Sequence, residues 1–384
     1  MALLNMRRSV VIVCIFLLIP ILINAQKKSG TPSIKQIPMT AEYWEFQPGK
    51  AEFAQHKNVP AMKLQRDAGL AIVKNLNFTN GTIEYDAEPL DATGSPFVTS
   101  YFRFQMNGES EVFYLRVGRE ENHKRNDAVQ YAPVIKQVNL WDMLPQYQGP
   151  SVLHNRDWNH VKIVVSGMQM RAYVNDMTRP ALEVPCLEGN IGHGTIAFEG
   201  FAAFANLVVK PDVVEGLPAG KGADLTSHDA NYIRKWLVTQ PAALEYGREL
   251  NQKDFPIPQT TWDSLDAERN GLINLTRKYG AENRRYVWLK TTIKSAAELQ
   301  RRIQLGFSDE VWVFVNGRMT YVDKNLYLQG MRKAPNGRCA IENSSFDLSL
   351  KAGDNEILIG VANDFYGWGI IARMESLEGI DLVR

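Results

Sequence analysis

The stretch from Gly81 to Val117 constrains the fold most, because it contains three runs in which apolar and polar residues alternate. In the first run, apolar residues alternate with Glu84, Asp86 and Glu88, and turn residues separate this run from the next two. Successive side chains of a strand point to opposite faces, so a period of two predicts three strands, each with one apolar face. We therefore expect an antiparallel sheet in this part of the chain.

The polar side chains of these runs predict a single polar plate if the three strands pair in sequence order. Acids would then face bases across neighbouring strands. The polar positions are Glu84, Asp86, Glu88, Tyr101, Arg103, Gln105, Tyr114 and Arg116. Such a plate suits a sugar-binding surface, a hydrolase active site or a solvated sheet, and the sequence leaves these three alternatives open.

The first residues of the chain predict an export signal. Arg7 and Arg8 precede an apolar run from Val10 to Ile23, and Ala25 suits the last residue before cleavage. The run is short for a membrane span, so we expect no stable membrane insertion after cleavage and a secreted, periplasmic or extracellular protein. An uncleaved anchor is the alternative interpretation.

The charge balance bears on the partners of the mature chain, and the cysteine count bears on its disulfides. Cleavage after Ala25 would remove two of the 43 Lys and Arg and none of the 42 Asp and Glu, which leaves 41 against 42. This balance gives no reason to expect nucleic acid as a partner. Cys186 and Cys339 would be the cysteines of the mature chain, and we expect two buried thiols rather than one disulfide.

The length of 384 residues suits two domains, and the patterning predicts an all-β fold with two β-sandwich (jelly-roll) domains in tandem. Residues 26–39 read as a flexible lead-in and residues 212–222, rich in Pro and Gly, as a linker. The predicted domains therefore cover residues 40–211 and 223–384. In the second domain, short alternating runs predict strands, one of them over Gly271–Tyr279.

The first domain resembles the concanavalin A-like (laminin G-like) sandwiches of secreted bacterial proteins, among them the domain called 3-keto-disaccharide hydrolase. The segments NGTIEYD, DWNHVKIVVSGMQMRAYVND and GTIAFEGFAAFANLVVKP carry this resemblance. The second domain is similar to the galactose-binding-like jelly rolls that accompany glycoside hydrolases, through DEVWVFVNGRMTY and LSLKAGDNEILIGVANDFYGWG. The resemblance implies β-sandwich folds and carbohydrate ligands, and binders and enzymes share such folds.

Glu84, Asp86 and Glu88 form the sharpest catalytic candidate. A period of two places the three carboxyl groups on one face, where mutual repulsion raises the pKa of one of them. Concanavalin A-like endoglucanases carry a Glu-x-Asp-x-Glu strand, so the resemblance implies Glu84 as nucleophile, Glu88 as acid/base and Asp86 as modulator. The alternative is a solvated or ligand-contacting face, and Pro89 ends the strand at once.

A mixed aromatic and basic set predicts a glycan site. Flat rings stack on the apolar faces of sugars while charged groups bind the hydroxyls. The candidates are Tyr101, Arg103, Tyr114 and Arg116 on the predicted strands, with Trp141 and Tyr147 on the long polar segment Asn122–Tyr147. The alternative is a set of cross-strand salt bridges that binds no ligand.

In the second domain, Asp364, Tyr366 and Trp368 follow a strongly apolar strand. Galactose-binding-like modules often place ligand contacts on this loop, so the resemblance implies that these residues touch ligand. The alternative is that Trp368 closes the core at the rim of the sandwich.

Metal binding has little support in the sequence. The six histidines show no His-Glu-x-x-His spacing, so we expect no zinc and no cofactor. Structural calcium is an alternative, because the segment Ala352–Glu356 offers Asp and Asn oxygens.

We predict an exported carbohydrate-binding protein without catalytic activity, which binds poly- or oligosaccharide on the first domain. One alternative is a glycan hydrolase that uses Glu84, Asp86 and Glu88, with the second domain as an accessory module. Another is an extracellular adhesion or assembly module that binds protein.

Overall fold

The computed structural model describes residues 33–91, 97–118, 125–282 and 284–382. The predicted signal segment and residues 26–32 of the predicted lead-in lie outside the described residues. Within the described ranges, no helix has both the length and the apolar composition needed to cross a membrane.

The described strands of the first domain lie between residues 35 and 211. They are β1 (Lys35–Gln36), β2 (Trp44–Glu45), β3 (Ala51–His56), β4 (Val59–Leu64), β5 (Ala71–Val73), β6 (Gly81–Pro89), β7 (Phe97–Phe104), β8 (Ser110–Arg116), β9 (Val129–Ile135), β10 (Val138–Asn139), β11 (Gln148–Gly149), β12 (Asn159–Ser166), β13 (Gln169–Val174), β14 (Leu182–Val184), β15 (Thr195–Glu199) and β16 (Ala202–Pro211). A 3-10 turn covers Ala41–Tyr43. Strand β1 pairs with β16, so this part of the predicted lead-in belongs to a sheet.

Two antiparallel sheets pack face to face in the first domain. Sheet A has the order β14-β13-β12-β6-β16-β4-β3, and sheet B has the order β10-β9-β8-β7-β15-β5-β2. The inner faces meet around large side chains, and the rings of Phe198 and Phe204 stack with centroids 4.4 Å apart. Tyr85 packs on the same Phe198 ring at 4.8 Å. Burial of these apolar side chains stabilises the sandwich.

The pairing in sequence order on which the single polar plate depends holds for β7 and β8 but not for β6. β6 pairs with β12 and β16 in sheet A, whereas β7 and β8 pair with each other in sheet B. The chain therefore crosses from one sheet to the other between β6 and β7. The polar faces of these strands consequently lie on opposite sides of the sandwich, and the single polar plate does not form.

The second domain is also built of antiparallel strands. They are β17 (Lys235–Val238), β18 (Ala242–Ala243), β19 (Asp263–Asp266), β20 (Leu272–Asn274), β21 (Arg285–Ser295), β22 (Leu299–Ser308), β23 (Glu310–Val315), β24 (Arg318–Lys324), β25 (Ser344–Leu350), β26 (Gly353–Ala362), β27 (Gly369–Met374) and β28 (Ile380–Leu382). A short helix, α1, covers Leu275–Tyr279, and 3-10 turns cover Gln252–Asp254, Arg269–Gly271, Tyr327–Gln329 and Ile341–Asn343.

These strands form sheet C, with the order β19-β17-β21-β26-β23-β24, and sheet D, with the order β20-β27-β22-β25. The prediction of an all-β fold with two sandwiches is confirmed. The predicted strand over residues 271–279 is wrong in its second half, because α1 begins after Asn274. The Asn274 side chain accepts a hydrogen bond from the backbone N–H of Arg277 and so caps the helix.

The two domains pack against each other through a shared apolar contact, which we call the seam. Leu272, Cys339 and Ile371 of the second domain belong to the same apolar cluster as the core of the first. The predicted linker packs against the first domain, where the N–H of Met168 donates to the carbonyl oxygen of Ala219 at 3.0 Å. The packed core and the docked linker therefore hold the two domains in one arrangement.

The thiols of Cys186 and Cys339 are free and buried, so the prediction of two buried thiols is confirmed.

Candidate functional site

The three carboxylates of β6 share the outer face of sheet A, and each has a basic or amide partner. Lys210 donates to Glu84 at 2.7 Å, His160 lies 2.7 Å from Asp86, Asn206 donates to Asp86 at 2.6 Å, and His56 and Lys57 lie 3.1 and 3.0 Å from Glu88. The neighbouring strands β12 and β16 supply the partners of Glu84 and Asp86, whereas the end of β3 and the turn after it supply those of Glu88. All three carboxylates therefore have structural partners on the outer face of sheet A.

Asp86 is poorly suited to donate a proton. Burial would raise its pKa, but the hydrogen bonds from His160 and Asn206 outweigh this effect and hold the pKa below its ordinary value. A carboxyl group with a lowered pKa stays ionised near neutral pH. None of Glu84, Asp86 and Glu88 lines the cleft described below.

The outer face of sheet B carries three of the predicted ligand-binding residues. Arg116 on β8 lies opposite Phe97 on β7, and Tyr114 lies opposite Thr99. The Arg116 guanidinium is 5.0 Å from the Tyr114 ring centroid. Alternation along β8 therefore places a cation and an aromatic ring side by side on the same face, as the sequence predicts.

Tyr101 extends this face onto the neighbouring strand. Its hydroxyl donates to Glu199 on β15 at 2.5 Å. Burial, together with the Glu199 charge, raises the pKa of Tyr101 far above its ordinary value, so the hydroxyl stays protonated. The neutral Tyr101 hydroxyl is thus in direct contact with the Glu199 side chain.

Arg103 does not share this face, and the prediction that it does is wrong. The residue has a positive φ of 53°, which interrupts the alternation of β7. Its side chain is buried and donates to the carbonyl oxygens of Thr79 and Gly167, each at 2.8 Å, and to the Asn80 side chain. Phe104, which alternation assigns to the core, lines the cleft instead.

The segment Asn122–Tyr147 contains strand β9, so it is not one long loop. Trp141 lies after β10 and lines the cleft, as the ligand-binding prediction requires. Tyr147 is buried, and its hydroxyl donates to Glu188 at 2.9 Å. The position predicted for Tyr147 is therefore wrong, because its ring packs in the core of the first domain.

The three candidate residues on the loop after β26 lie in different environments. Tyr366 is 42% exposed and lines the cleft. Trp368 is buried in the core of the second domain, with its indole N–H donating to the carbonyl oxygen of Gly280 at 2.7 Å, so its ligand-contact prediction is wrong. Asp364 lies 3.8 Å from Arg284 in an ion pair and does not line the cleft.

A cleft of about 1320 Å³ lies between the outer face of sheet B and loops of the second domain. We call it the interdomain cleft. Its aromatic lining consists of Phe97, Tyr101, Phe104, Tyr114, Trp141, Phe201, Tyr327, Phe365 and Tyr366. Its charged lining consists of Arg66, Asp67, Arg116, Arg125, Asp127, Glu199, Arg332 and Arg338. Both domains thus contribute to one concave surface.

The aromatic rings of the two domains touch across the cleft. The Trp141 ring lies 5.0 Å from that of Tyr327 and 5.9 Å from that of Tyr366, both in edge-on geometry. Tyr327 stacks in turn on Phe365, with centroids 5.8 Å apart. These contacts fix the orientation of the rings, so a ligand would meet a preformed aromatic surface.

Sequence reasoning missed Glu199, Tyr327, Arg338 and Phe365. Glu199 alternates with Phe198 at the end of β15, so alternation could have placed it on an outer face. Tyr327 and Arg338 lie in a segment without periodicity, and no local pattern connects them to sheet B. Their position follows from how the two domains dock.

Among the described residues, no group of three or more His, Cys, Asp or Glu is arranged to hold a metal ion. In the segment proposed for calcium, the Asn355 side chain accepts from the N–H of Lys351 and donates to the carbonyl oxygens of Lys351 and Gly353. The Asn355 amide therefore closes its own turn, and calcium binding here stays a prediction.

No family model and no curated protein matches this sequence. Among solved structures, the carbohydrate binding module CBM66 from Bacillus subtilis has a TM-score of 0.33 at 12% identity, over 44% of this chain and 96% of that one. The Bacillus licheniformis beta-glucanase has a TM-score of 0.33 at 11% identity, over 48% of this chain and 100% of that one. The VIP36 exoplasmic/lumenal domain has a TM-score of 0.32 at 11% identity, over 46% and 86%. At these identities and TM-scores, no functional conclusion about this chain follows from the likeness.

Proposed function

We propose that this protein is an exported carbohydrate-binding protein that holds a poly- or oligosaccharide in the interdomain cleft without cleaving it. The observation that carries the proposal is the combination, in one cleft, of aromatic rings with guanidinium and carboxylate groups. Aromatic rings pack against the apolar faces of sugar rings, and charged groups hydrogen-bond the hydroxyls.

The size of the cleft favours an extended ligand. Its volume of about 1320 Å³ exceeds the roughly 300–1,000 Å³ of ordinary small-molecule pockets. The rings of Trp141, Tyr327 and Tyr366 come from both domains, so a ligand bound there would contact both. Several linked sugars would use this surface better than a single one.

The type of each domain is part of the same hypothesis. The first domain would be a concanavalin A-like sandwich that supplies the floor of the cleft. The second would be a galactose-binding-like module that contributes Tyr327 and Tyr366 to the wall. Residues 1–25 would direct export and would be removed by cleavage after Ala25.

Glycan hydrolysis is the second candidate function, and one observation favours it. Glu199 is a carboxylate on the cleft floor and accepts a hydrogen bond from Tyr101 at 2.5 Å. Asp67 and Asp127 also line the cleft, but Asp127 pairs with Arg125, and Glu84 and Glu88 lie on the other sheet. We therefore place any catalytic role on Glu199 rather than on the β6 carboxylates.

The test combines glycan-array binding of the chain from Gln26 to Arg384 with a reducing-sugar assay on the same polysaccharides. Binding without release of reducing ends supports the proposal. Release that is lost in Glu199→Gln and kept in Glu84→Gln supports the hydrolase instead. Absence of binding to every glycan, with intact folding shown by circular dichroism, contradicts both and leaves a protein-binding module as the alternative.

A further inference from the structure

Three guanidinium groups lie around Asp127 at one end of the interdomain cleft, two of them near its carboxylate and one at its backbone carbonyl. Arg125 pairs with Asp127 through contacts of 2.8 and 2.7 Å to the same oxygen. Arg338, from the second domain, lies 3.8 Å from the other Asp127 oxygen. Arg116 donates to the backbone carbonyl oxygen of Asp127 at 2.6 Å. Positive charge therefore exceeds negative charge at this place.

Arg338 is a buried arginine without a full set of partners. Its side chain is 2% exposed, and its guanidinium lies 5.2 Å from the Trp141 ring centroid. Its contact with the Gln130 side-chain oxygen is long, at 3.5 Å, and its Nε has no hydrogen-bond partner among the described residues. Burial of a charged group without strong hydrogen bonds is costly, so a ligand that supplies an acceptor would be favoured.

Arg116 has neutral acceptors only. Its terminal nitrogens donate to the Tyr114 hydroxyl, the Gln130 side chain and the backbone of Asp127. In the described part of the chain, no carboxylate lies within ion-pair distance of Arg116. Arg116 and Arg338 share the Gln130 oxygen as an acceptor, so two cations lie close together. Burial lowers the pKa of Arg338, and the Arg116 charge lowers it further.

We propose that Arg116 and Arg338 form a subsite for an anionic sugar, a glycan unit that carries a carboxylate or a sulfate group. This inference rests on the proposed glycan binding in the same cleft. Planar guanidinium groups match the paired oxygens of carboxylate and sulfate, and the anion would neutralise the two charges that Asp127 leaves uncompensated. The Trp141 ring beside Arg338 would pack against the sugar that carries the anion.

The test uses matched charged and neutral oligosaccharides in titration calorimetry. The carboxylate arm compares trigalacturonate with its methyl ester, and the sulfate arm compares a sulfated galactan oligosaccharide with its desulfated form. We expect the charged member of at least one pair to bind more tightly by about tenfold or more, because charge-assisted hydrogen bonds are stronger than neutral ones. The arm that shows the preference identifies the anion.

Arg116→Gln and Arg338→Gln should reduce binding of the charged member to the level of the neutral one. Arg171→Gln is the control, because Arg171 lies on β13 and pairs with Glu183 at 2.9 Å, outside the cleft. If Arg338→Gln fails to fold, the affinity of Arg116→Gln alone tests the subsite. Arg116 is only half-buried, so we expect this variant to fold.

Equal affinity for charged and neutral members of both pairs would overturn the subsite while leaving glycan binding intact. The same holds if Arg116→Gln binds the charged ligand as tightly as the wild type. Absence of binding to any of the four ligands and to the glycan array is a failure of the proposed function itself, and it overturns the subsite as well.

Discussion

The carboxylate of Asp142, in the first domain, accepts a hydrogen bond from the backbone N–H of Gly367, in the second, at 3.1 and 3.3 Å from its two oxygens. The backbone N–H of Cys339 donates to the carbonyl oxygen of the same Asp142 at 2.8 Å. Gly367 directly follows Tyr366, so this contact fixes the height of a cleft-lining ring above sheet B. The geometry of the cleft therefore depends on one buried carboxyl group in the seam.

We expect Asp142→Ala to lower the free energy of unfolding by about 1–3 kcal/mol, because it leaves the buried N–H of Gly367 without an acceptor. Asp142→Asn should cost less, since the amide keeps an acceptor oxygen. Burial, and next the charge of Asp309, raise the pKa of Asp142 well above its ordinary value, which favours the neutral form that an amide imitates. Urea denaturation of the three proteins measures this, and equal losses in both variants would contradict the assigned role of the acceptor.

Asp309 should make stability depend on pH. Burial raises the pKa of this carboxyl from 3.8 to about 7, although the N–H groups of Asp364 and Phe365 lower it. Between pH 4 and 7 the folded state therefore holds a proton that the unfolded state has released. The contribution of Asp309 to stability is then fully present below pH 4, falls as pH rises to 7, and changes little above that.

Asp309→Asn should remove this part of the pH dependence, which has a slope of at most about 1.4 kcal/mol per pH unit. The measurement is the difference in unfolding free energy between wild type and variant from pH 4 to 8. Asp347→Asn is the control, because the Asp347 side chain is 52% exposed. A difference that stays constant across this range would contradict the raised pKa of Asp309.

Tyr366→Ala should weaken glycan binding by about two- to tenfold, since an aromatic contact contributes about 0.5–1.5 kcal/mol. Stability should change little, because the residue is 42% exposed. Tyr246→Ala is the matched control: that tyrosine is 70% exposed and lies outside the cleft. Affinity would be measured by titration with the tightest ligand from the array, and equal losses in both variants would exclude a role for the cleft ring.

Arg103→Ala should act on stability and not on affinity. The change leaves the buried carbonyl oxygens of Thr79 and Gly167 without their donor, so we expect a loss of about 1–3 kcal/mol in unfolding free energy. Arg171→Ala, at an exposed ion pair, should lose about 1 kcal/mol or less. A weaker affinity in folded Arg103→Ala, with stability unchanged, would show that this arginine contacts ligand after all.

The faces of individual strands could be predicted from the sequence. Alternation places Tyr114 and Arg116 together on β8, and the structure keeps them together on the outer face of sheet B. It fails at Arg103, where a positive φ changes the direction of the side chain within a strand that reads as regular. Backbone conformation of this kind has no signature in an apolar and polar pattern.

The sequence could not predict that residues of both domains line one cleft. Trp141 and Tyr366 are both candidates in the sequence, but nothing in it shows that their rings lie 5.9 Å apart. Arg338 is absent from the sequence-based candidates, because only docking of the second domain brings it to Trp141 and Asp127. The sequence pattern predicts the β6 carboxylates beside Arg116, but they lie on the other sheet.

Strand formation, the side chains that share a face of most strands, and the succession of two sandwiches could all be inferred from the sequence. Those properties are local, because an extended backbone alternates its side chains whatever its partner is. The pairing of β6 in sheet A, away from β7, and the contribution of both domains to one cleft became evident only in the folded molecule. Strand partners and the seam depend on which apolar faces can be buried together across long stretches of chain, and this choice is made by packing of the whole molecule.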